Sequence, residues 1–373
     1  MYIYTAQYLM PTSELAATLA LPKLSRIGCI TARKLIHHFG SAVDVFDRIQ
    51  QADSAKWKTL KDVFKRPDTA SILCAAEKEC AYIQKHHVQW IDFRDEGFPA
   101  SLNQCPDAPL VLFYSGQSFP DTTRIISIVG TREPSQQGRA FSRKLVAELA
   151  PYHPIIVSGY AYGIDIEAQL AAVEHKLSTY ACFGHGILSC YPKQHKKYRK
   201  DIEQTGGFLS EYWHNDAFHK TSFLQRNRII AGLAQATVVV ESKAKGGALT
   251  TAHYALGYQR DVFAMPGRPE DKTTAGCLHL IKKRQAECLT SGVDIAKALG
   301  WIEQKTVPKQ PELFVELSKQ EKALLQHLDA KPKHIDLIAL EAQIKVSELA
   351  SMLFILEMKG VVLAQAGKMF KRV

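Results

Sequence analysis

No apolar run in this chain approaches the ~18 residues that a membrane-spanning helix requires. Met1 to Tyr8 lack the charged start and apolar stretch of a secretory signal. The eight cysteines include no CxxC pair and no spacing typical of zinc. These absences point to a cytoplasmic protein with reduced thiols, no bound metal and no membrane partner. Catalytic signatures are missing as well. There is no GxGxxG with an acidic residue about 20 positions on, which disfavours a dinucleotide cofactor. There is no GxxxxGK[ST], which argues against NTP hydrolysis, and no GxSxG elbow around a serine nucleophile. The histidines are scattered, and the adjacent pairs His37-His38 and His86-His87 cannot both face one metal from a helix. The expectation is a protein without cofactor or enzymatic activity.

What is present begins with charge. The 373 residues carry a net charge of +10, are 46% hydrophobic and 23% charged. That composition suits a soluble globular protein of two or three domains. The positive balance favours a polyanionic partner, nucleic acid before membrane.

Four times in the middle of the chain an apolar, strand-like run breaks into small residues before a helix-like pattern. Ile125–Val129 precedes Gly130-Thr131-Arg132, and Pro154–Val157 precedes Ser158-Gly159-Tyr160-Ala161-Tyr162-Gly163. Thr179–Phe183 precedes Gly184-His185-Gly186, and Thr237–Val240 precedes a loop with Gly246 and Gly247. Alternating strand and helix patterns over residues 121–300 predict a doubly wound α/β fold with a mainly parallel sheet. In such a sheet the loops gather at the carboxyl ends of the strands, where free amides and helix N-termini attract anions.

The side chains around these loops suggest which anion. Arg132 stands ready for a bidentate grip on phosphate. Ser158 adds a hydroxyl donor, and the small residues Gly159, Ala161 and Gly163 free backbone amides. Lys220, Phe223, Arg226 and Arg228 join cations to an aromatic face, a combination suited to single-stranded nucleic acid. Asn227 either reads a base edge or braces its loop. Lys243, Gly246, Gly247 and Thr250 offer charge, amides and a hydroxyl at the fourth loop. The basic run around His195, with Lys193, Lys196, Lys197, Arg199 and Lys200, is either a phosphate track or a solvated helix face.

The flanks differ in character. Residues 1–85 read as a small helical domain, and Leu21 to Leu35 are similar to a helix-hairpin-helix with one of its two turn glycines, Gly28. It either touches DNA or serves as a packing module. Residues 86–302 form the α/β domain, 303–318 a linker and 319–373 a winged helix: three helices, Lys319–Leu328, Ile335–Glu341 and Val346–Lys359, then a hairpin. The third helix is largely apolar, so it contacts either protein or DNA.

The motifs together resemble the DprA/Smf family of DNA-processing proteins. They are Val129-Gly130-Thr131-Arg132, Ser158-Gly159 with Ala161 and Gly163-Ile164-Asp165, Tyr191-Pro192, Ser210-Glu211, Arg226 to Leu233, Gly247 to Ala252 and Pro266-Gly267. The resemblance implies an extended Rossmann-like fold that binds single-stranded DNA, protects incoming DNA and loads the RecA recombinase during natural transformation. It also implies a homodimer formed through that fold and contact with strands coated by single-strand-binding protein. On this resemblance Arg132 and the Ser158–Gly163 loop hold phosphates, Phe223 stacks a base, and Lys220, Arg226 and Arg228 line or shape the pocket. Two steps depart from the family pattern, at Ala168-Gln169 and from Gly276 to Ala286. A nucleotide-processing enzyme of the phosphoribohydrolase kind, and a nucleotide-sensing regulator with a DNA-binding winged helix, are the alternatives.

Overall fold

The computed structural model describes residues 12–48, 67–120, 122, 124–302, 317–329, 332–365 and 367–372. The chain divides into two compact units, Met1–Ile302 and Glu303–Val373. The expected linker, except for residues 317 and 318, lies outside the described residues.

The larger unit is built on a nine-stranded sheet. Its strands are β1 (Gln89–Asp92), β2 (Val111–Gly116), β3 (Ile125–Val129), β4 (Ile155–Ser158), β5 (Thr179–Phe183), β6 (Gly207–Ser210), β7 (Ala236–Val239), β8 (Asp261–Ala264) and β9 (Glu287–Cys288). Their order is β1-β2-β6-β5-β4-β3-β7-β8-β9. The run from β6 to β9 is parallel, whereas β1–β2 and β2–β6 pair antiparallel. Strands β3, β4 and β5 are buried along their whole length. Burial on both faces is why they read as unbroken apolar runs. Inside β3 a polar residue is paired across the sheet: the Ser127 hydroxyl donates to Thr237 Oγ1 at 2.7 Å, across the β3–β7 register.

Two helical layers cover the sheet. Helices Gln136–Leu149 and Ile164–Glu174 pack Leu145, Val146 and Ala168 against Ile126, Ile128 and Ile156. On the other side, helices Lys220–Leu233 and Gly247–Gly257 pack Ile229, Ile230 and Ala252 against Ile125, Val157 and Val239. Each such fully buried Ile or Val contributes roughly 1.5–3 kcal/mol relative to exposure.

The helices before β1, Thr12–Ala20, Cys29–Phe39, Ala42–Arg48 and Pro67–Lys85, do not close a core of their own. Leu15, Leu35 and Ile36 share one apolar cluster with Phe183, Phe208 and Trp213 of the sheet unit. Polar contacts cross the same boundary. Lys23 pairs with Asp216 at 2.7 Å, and Arg33 donates to Asn103 Oδ1 at 2.8 Å. Lys23 and Arg33, on either side of the hairpin-like turn at Gly28, are thus engaged by the α/β body, while Arg26 is exposed.

The smaller unit has helices Lys319–Leu325, Ile335–Ala342 and Val346–Met358, with strands β10 (Lys333–His334), β11 (Val362–Gln365) and β12 (Met369–Arg372). The strands form an antiparallel sheet in the order β10-β12-β11. Leu324, Ile338, Leu349, Leu353 and Leu356 make its core. This is the three-helix and hairpin arrangement of a winged helix. Its first helix ends at Leu325, earlier than the spacing predicts. Among the described residues no helix is long and apolar enough to cross a membrane.

Candidate functional site

The loops after β3 and β4 are keyed into each other. A Cβ at Gly130 would lie 2.6 Å from the Ile164 side chain. Gly163 holds φ +82°, and a Cβ there would lie 2.2 Å from the Thr131 carbonyl oxygen, so only glycine fits. That carbonyl accepts from Ile164 N–H at 3.2 Å. Between them Tyr160 adopts φ +58°, an uncommon conformation outside glycine. Burial and a hydroxyl donated to the His195 carbonyl at 2.6 Å hold it there. The paired loops leave Arg132 exposed at their tip.

Beneath Arg132, Asp165 organises the cradle. Backbone N–H groups of Gly130 and Ala161 hydrogen-bond to its carboxylate, so those amides are engaged within the protein. Burial pushes this carboxyl upward from its ordinary range, and the neighbouring Arg226 opposes the shift. Gly159 supplies the gap between them: a Cβ there would lie 2.6 Å from both Arg226 Nη1 and Asp165 Oδ2.

Helix Lys220–Leu233 places its polar residues on opposed faces. Arg226, only 4% exposed, donates through Nη1 to the Gly159 carbonyl at 2.7 Å and to the Cys182 carbonyl. It ties the loop after β4 to strand β5 and lines the pocket. Phe223 lies over Gly184, where an added Cβ would come within 3.1 Å of it. Two residues after Arg226, Arg228 points elsewhere. It donates to the Asp107 carbonyl at 2.6 Å and forms an ion pair with Glu211. Arg228 lines a separate cavity of about 620 Å³ between the N-terminal helices and the sheet.

The pocket itself is lined by Arg132, Gly159, Ala161, Tyr162, Tyr191, Pro192, Phe223 and Arg226. Its enclosed volume is about 10 Å³, room for one water-sized group. A larger ligand rests upon it rather than inside it. Of the expected residues, Arg132, Gly159, Ala161, Phe223 and Arg226 are brought together here. Gly130, Thr131 and Gly163 act one layer back, as backbone supports.

Others lie outside that lining. The Ser158 hydroxyl is buried and donates to the Ile128 carbonyl at 2.6 Å, so it stitches β4 to β3 instead of facing a ligand. Asn227 Nδ2 donates to the Gly247 carbonyl at 3.3 Å, the bracing alternative of the two. Lys220 is exposed at the start of its helix, outside the pocket lining. Lys243, Gly246, Gly247 and Thr250 also fall outside that lining. Arg228 belongs to the other cavity.

The crevice where strand order reverses, between β3 and β7, is bridged from within. Buried Glu241 accepts from Ser135 N–H at 2.9 Å and from the Ser135 hydroxyl at 2.5 Å. Its own carbonyl accepts from Thr131 N–H at 2.8 Å. Ser135 caps helix Gln136–Leu149, so a carboxylate already sits at that positive helix end.

Sequence reasoning missed the aromatic rim. Tyr162 and Tyr191 are exposed at the pocket edge. Tyr191 lies 5.5 Å from Phe223 and 5.9 Å from Phe218 between ring centroids. The Tyr191-Pro192 pair was visible as a motif, but no local pattern ties it to Phe223. His195 is buried, with Nδ1 3.0 Å from the Tyr160 carbonyl, while Lys193, Lys196 and Lys197 around it are exposed.

Comparison with known proteins adds a lineage to this geometry. The family model of DNA recombination-mediator protein A matches residues 89–300, and that of the DprA winged helix domain matches residues 308–368. Protein Smf of Synechocystis sp. is 27% identical, over 97% of this chain and 100% of its own length. DNA processing protein DprA of Streptococcus pneumoniae is 37% identical, over 58% of this chain and 76% of its own. The X-ray structure of DprA from S. pneumoniae superposes with a TM-score of 0.63 at 30% identity, covering 77% of this chain and 98% of that one. DNA processing protein A from Helicobacter pylori, described for its single-stranded DNA binding mode, superposes at 0.52 with 29% identity, covering 58% and 97%.

Proposed function

The chain belongs to the DNA recombination-mediator protein A family, DprA/Smf, and on that premise we propose that it binds single-stranded DNA at the pocket under Arg132. The observation that carries this reading is the convergence of Arg132, Arg226 and Phe223 with an aromatic rim on one shallow surface. Cations hold a phosphate while aromatic faces accept unpaired bases, which a duplex keeps stacked away. The Helicobacter pylori relative, reported to bind single-stranded DNA, supports the same assignment. In this reading the protein works in the cytoplasm as a homodimer formed through the α/β unit. It shields incoming strands and hands them to the RecA recombinase, displacing single-strand-binding protein, as in natural transformation.

No catalytic step belongs to this role. Asp165 and Glu241 are engaged in holding loops, and Ser158 in holding strands. A nucleotide-processing enzyme needs an enclosed seat for its substrate, and the pocket under Arg132, at about 10 Å³, does not offer one. The test is titration of labelled oligo-dT and of a duplex of equal length, at two salt concentrations. Tight, salt-sensitive binding of oligo-dT alone is expected, weakened sharply by Arg132→Ala or Phe223→Ala. If both variants bind as the parent does, the pocket is misassigned. Release of free base from nucleoside monophosphates would favour the enzyme instead.

A further inference from the structure

Beside the pocket, three rings stack from the core outward. Phe183, Phe223's neighbour His185, and Phe218 follow one another at centroid spacings of 4.5 and 4.8 Å, each step tilted by 28°. The inner end is fixed, because Phe183 is 1% exposed within the sheet. The outer end is open, with Phe218 51% exposed. Tyr191, 43% exposed, lies between Phe218 and Phe223 and also lines the phosphate pocket. The aromatic surface therefore runs without a break from the pocket to the end of the stack. Lys220 stands exposed two residues beyond Phe218, and Lys193 two beyond Tyr191.

Leaving a phenylalanine face in water is unfavourable, and one flat ring stacked on another defines the plane a further ring would adopt. The supporting imidazole is neutral at physiological pH, since burial pushes His185 down to about 4. The stack is then a chain of uncharged rings.

We propose that Phe218, flanked by Tyr191, is a second stacking shelf that accepts a nucleobase adjoining the phosphate held at Arg132. The proposal rests on the reading that the pocket binds single-stranded DNA. It adds a contact to bases where the pocket proper grips the backbone, and predicts a footprint extending toward Lys193.

The experiment compares oligo-dT with an oligomer of equal length whose central nucleotides are abasic, by fluorescence anisotropy on the full chain. Phe218→Ala is expected to weaken oligo-dT binding by about ten-fold and abasic binding by less than about two-fold, since stacking requires a base. Phe218→Trp should retain the preference for bases. Arg132→Ala should weaken both ligands alike. Equal losses on both oligomers in Phe218→Ala, or no loss on either, overturn the shelf while the pocket stands. A changed molecular mass of Phe218→Ala in light scattering overturns it too, marking the face as a contact between copies. A parent protein that binds neither oligomer overturns the pocket and the shelf together.

Discussion

The two units of this chain solve different surface problems with folds that both occur in nucleic-acid proteins. In the α/β unit the exposed side chains around the strand-end loops are cations and aromatics: Arg132, Tyr162, Tyr191, Phe218 and Lys220. In the winged helix, helix Val346–Met358 turns Phe354, Ile355 and Met358 to solvent, with Leu337 and Leu340 exposed on the preceding helix. Within helix Val346–Met358 the charges are Glu348 and Glu357; at its edges Lys345 is exposed and Lys359 is bound to Glu321 at 2.7 Å. A phosphate backbone is attracted to the first surface, whereas the apolar helix face of the second offers it no cation. Fold type alone does not say which surface handles DNA; the side chains do.

Arg226 offers the largest test of this contrast. Arg226→Met removes the cation beside buried Asp165 and two carbonyl contacts that join the loop after β4 to strand β5. A loss of about 3–5 kcal/mol in stability is expected, because an unpaired charge remains buried. Urea unfolding followed by tryptophan fluorescence reads it, since no tryptophan lies beyond Trp301. The winged helix should be blind to this change.

Arg132→Ala isolates the chemistry from the scaffold. The side chain is exposed, so stability should stay within about 0.5 kcal/mol. Affinity for oligo-dT should fall at least ten-fold, and the slope of log K against log salt should shrink by about 0.7, the value for one phosphate of a single strand.

Acidification separates the units by a buried base. His185 has a folded value of about 4 against 6.5 when free, so the unfolded chain binds more protons between those values. Stability therefore rises with pH across that window and is lost as pH falls through it. Between pH 7 and pH 5 the α/β unit should lose about 2 kcal/mol. His185→Phe, which keeps a ring in the stack, should reduce the slope, leaving the part due to His195, which burial also pushes down. A pH-independent urea midpoint in the parent would contradict the assignment.

The smallest expected effect is deletion of residues 303–373. Removing the winged helix should leave oligo-dT affinity within about two-fold. A ten-fold loss would show that its apolar helix takes part in binding DNA, and the contrast between the units would collapse.

Much of the fold is readable from residues alone, for reasons that also mark where reading stops. Strands β3 to β5 and β7 announce themselves because both faces are buried, leaving no polar alternation. Edge strand β1, half-exposed, and β6, beginning at Gly207, carry no such run. Arg132, Gly159 and Phe223 are recoverable because strand–loop–helix order fixes where such loops gather. The separate fates of Arg226 and Arg228 follow from helix geometry, since residues two apart point to opposed sides. Ser158 misleads because a hydroxyl at a strand end looks the same whether it faces a ligand or a neighbouring carbonyl. Tyr191 and Phe218 belong to distant segments that meet only in three dimensions.

The carboxylate of Glu241 has a consequence for which phosphorylated ligands the α/β unit can seat. Rossmann-like sheets usually seat such ligands at the reversal of strand order. Here that seat carries its own negative charge, held by a serine and a helix end. A small phosphorylated metabolite placed at that helix end would meet the Glu241 carboxylate. The helix end that would otherwise attract such a phosphate is already occupied by a side chain of the protein itself.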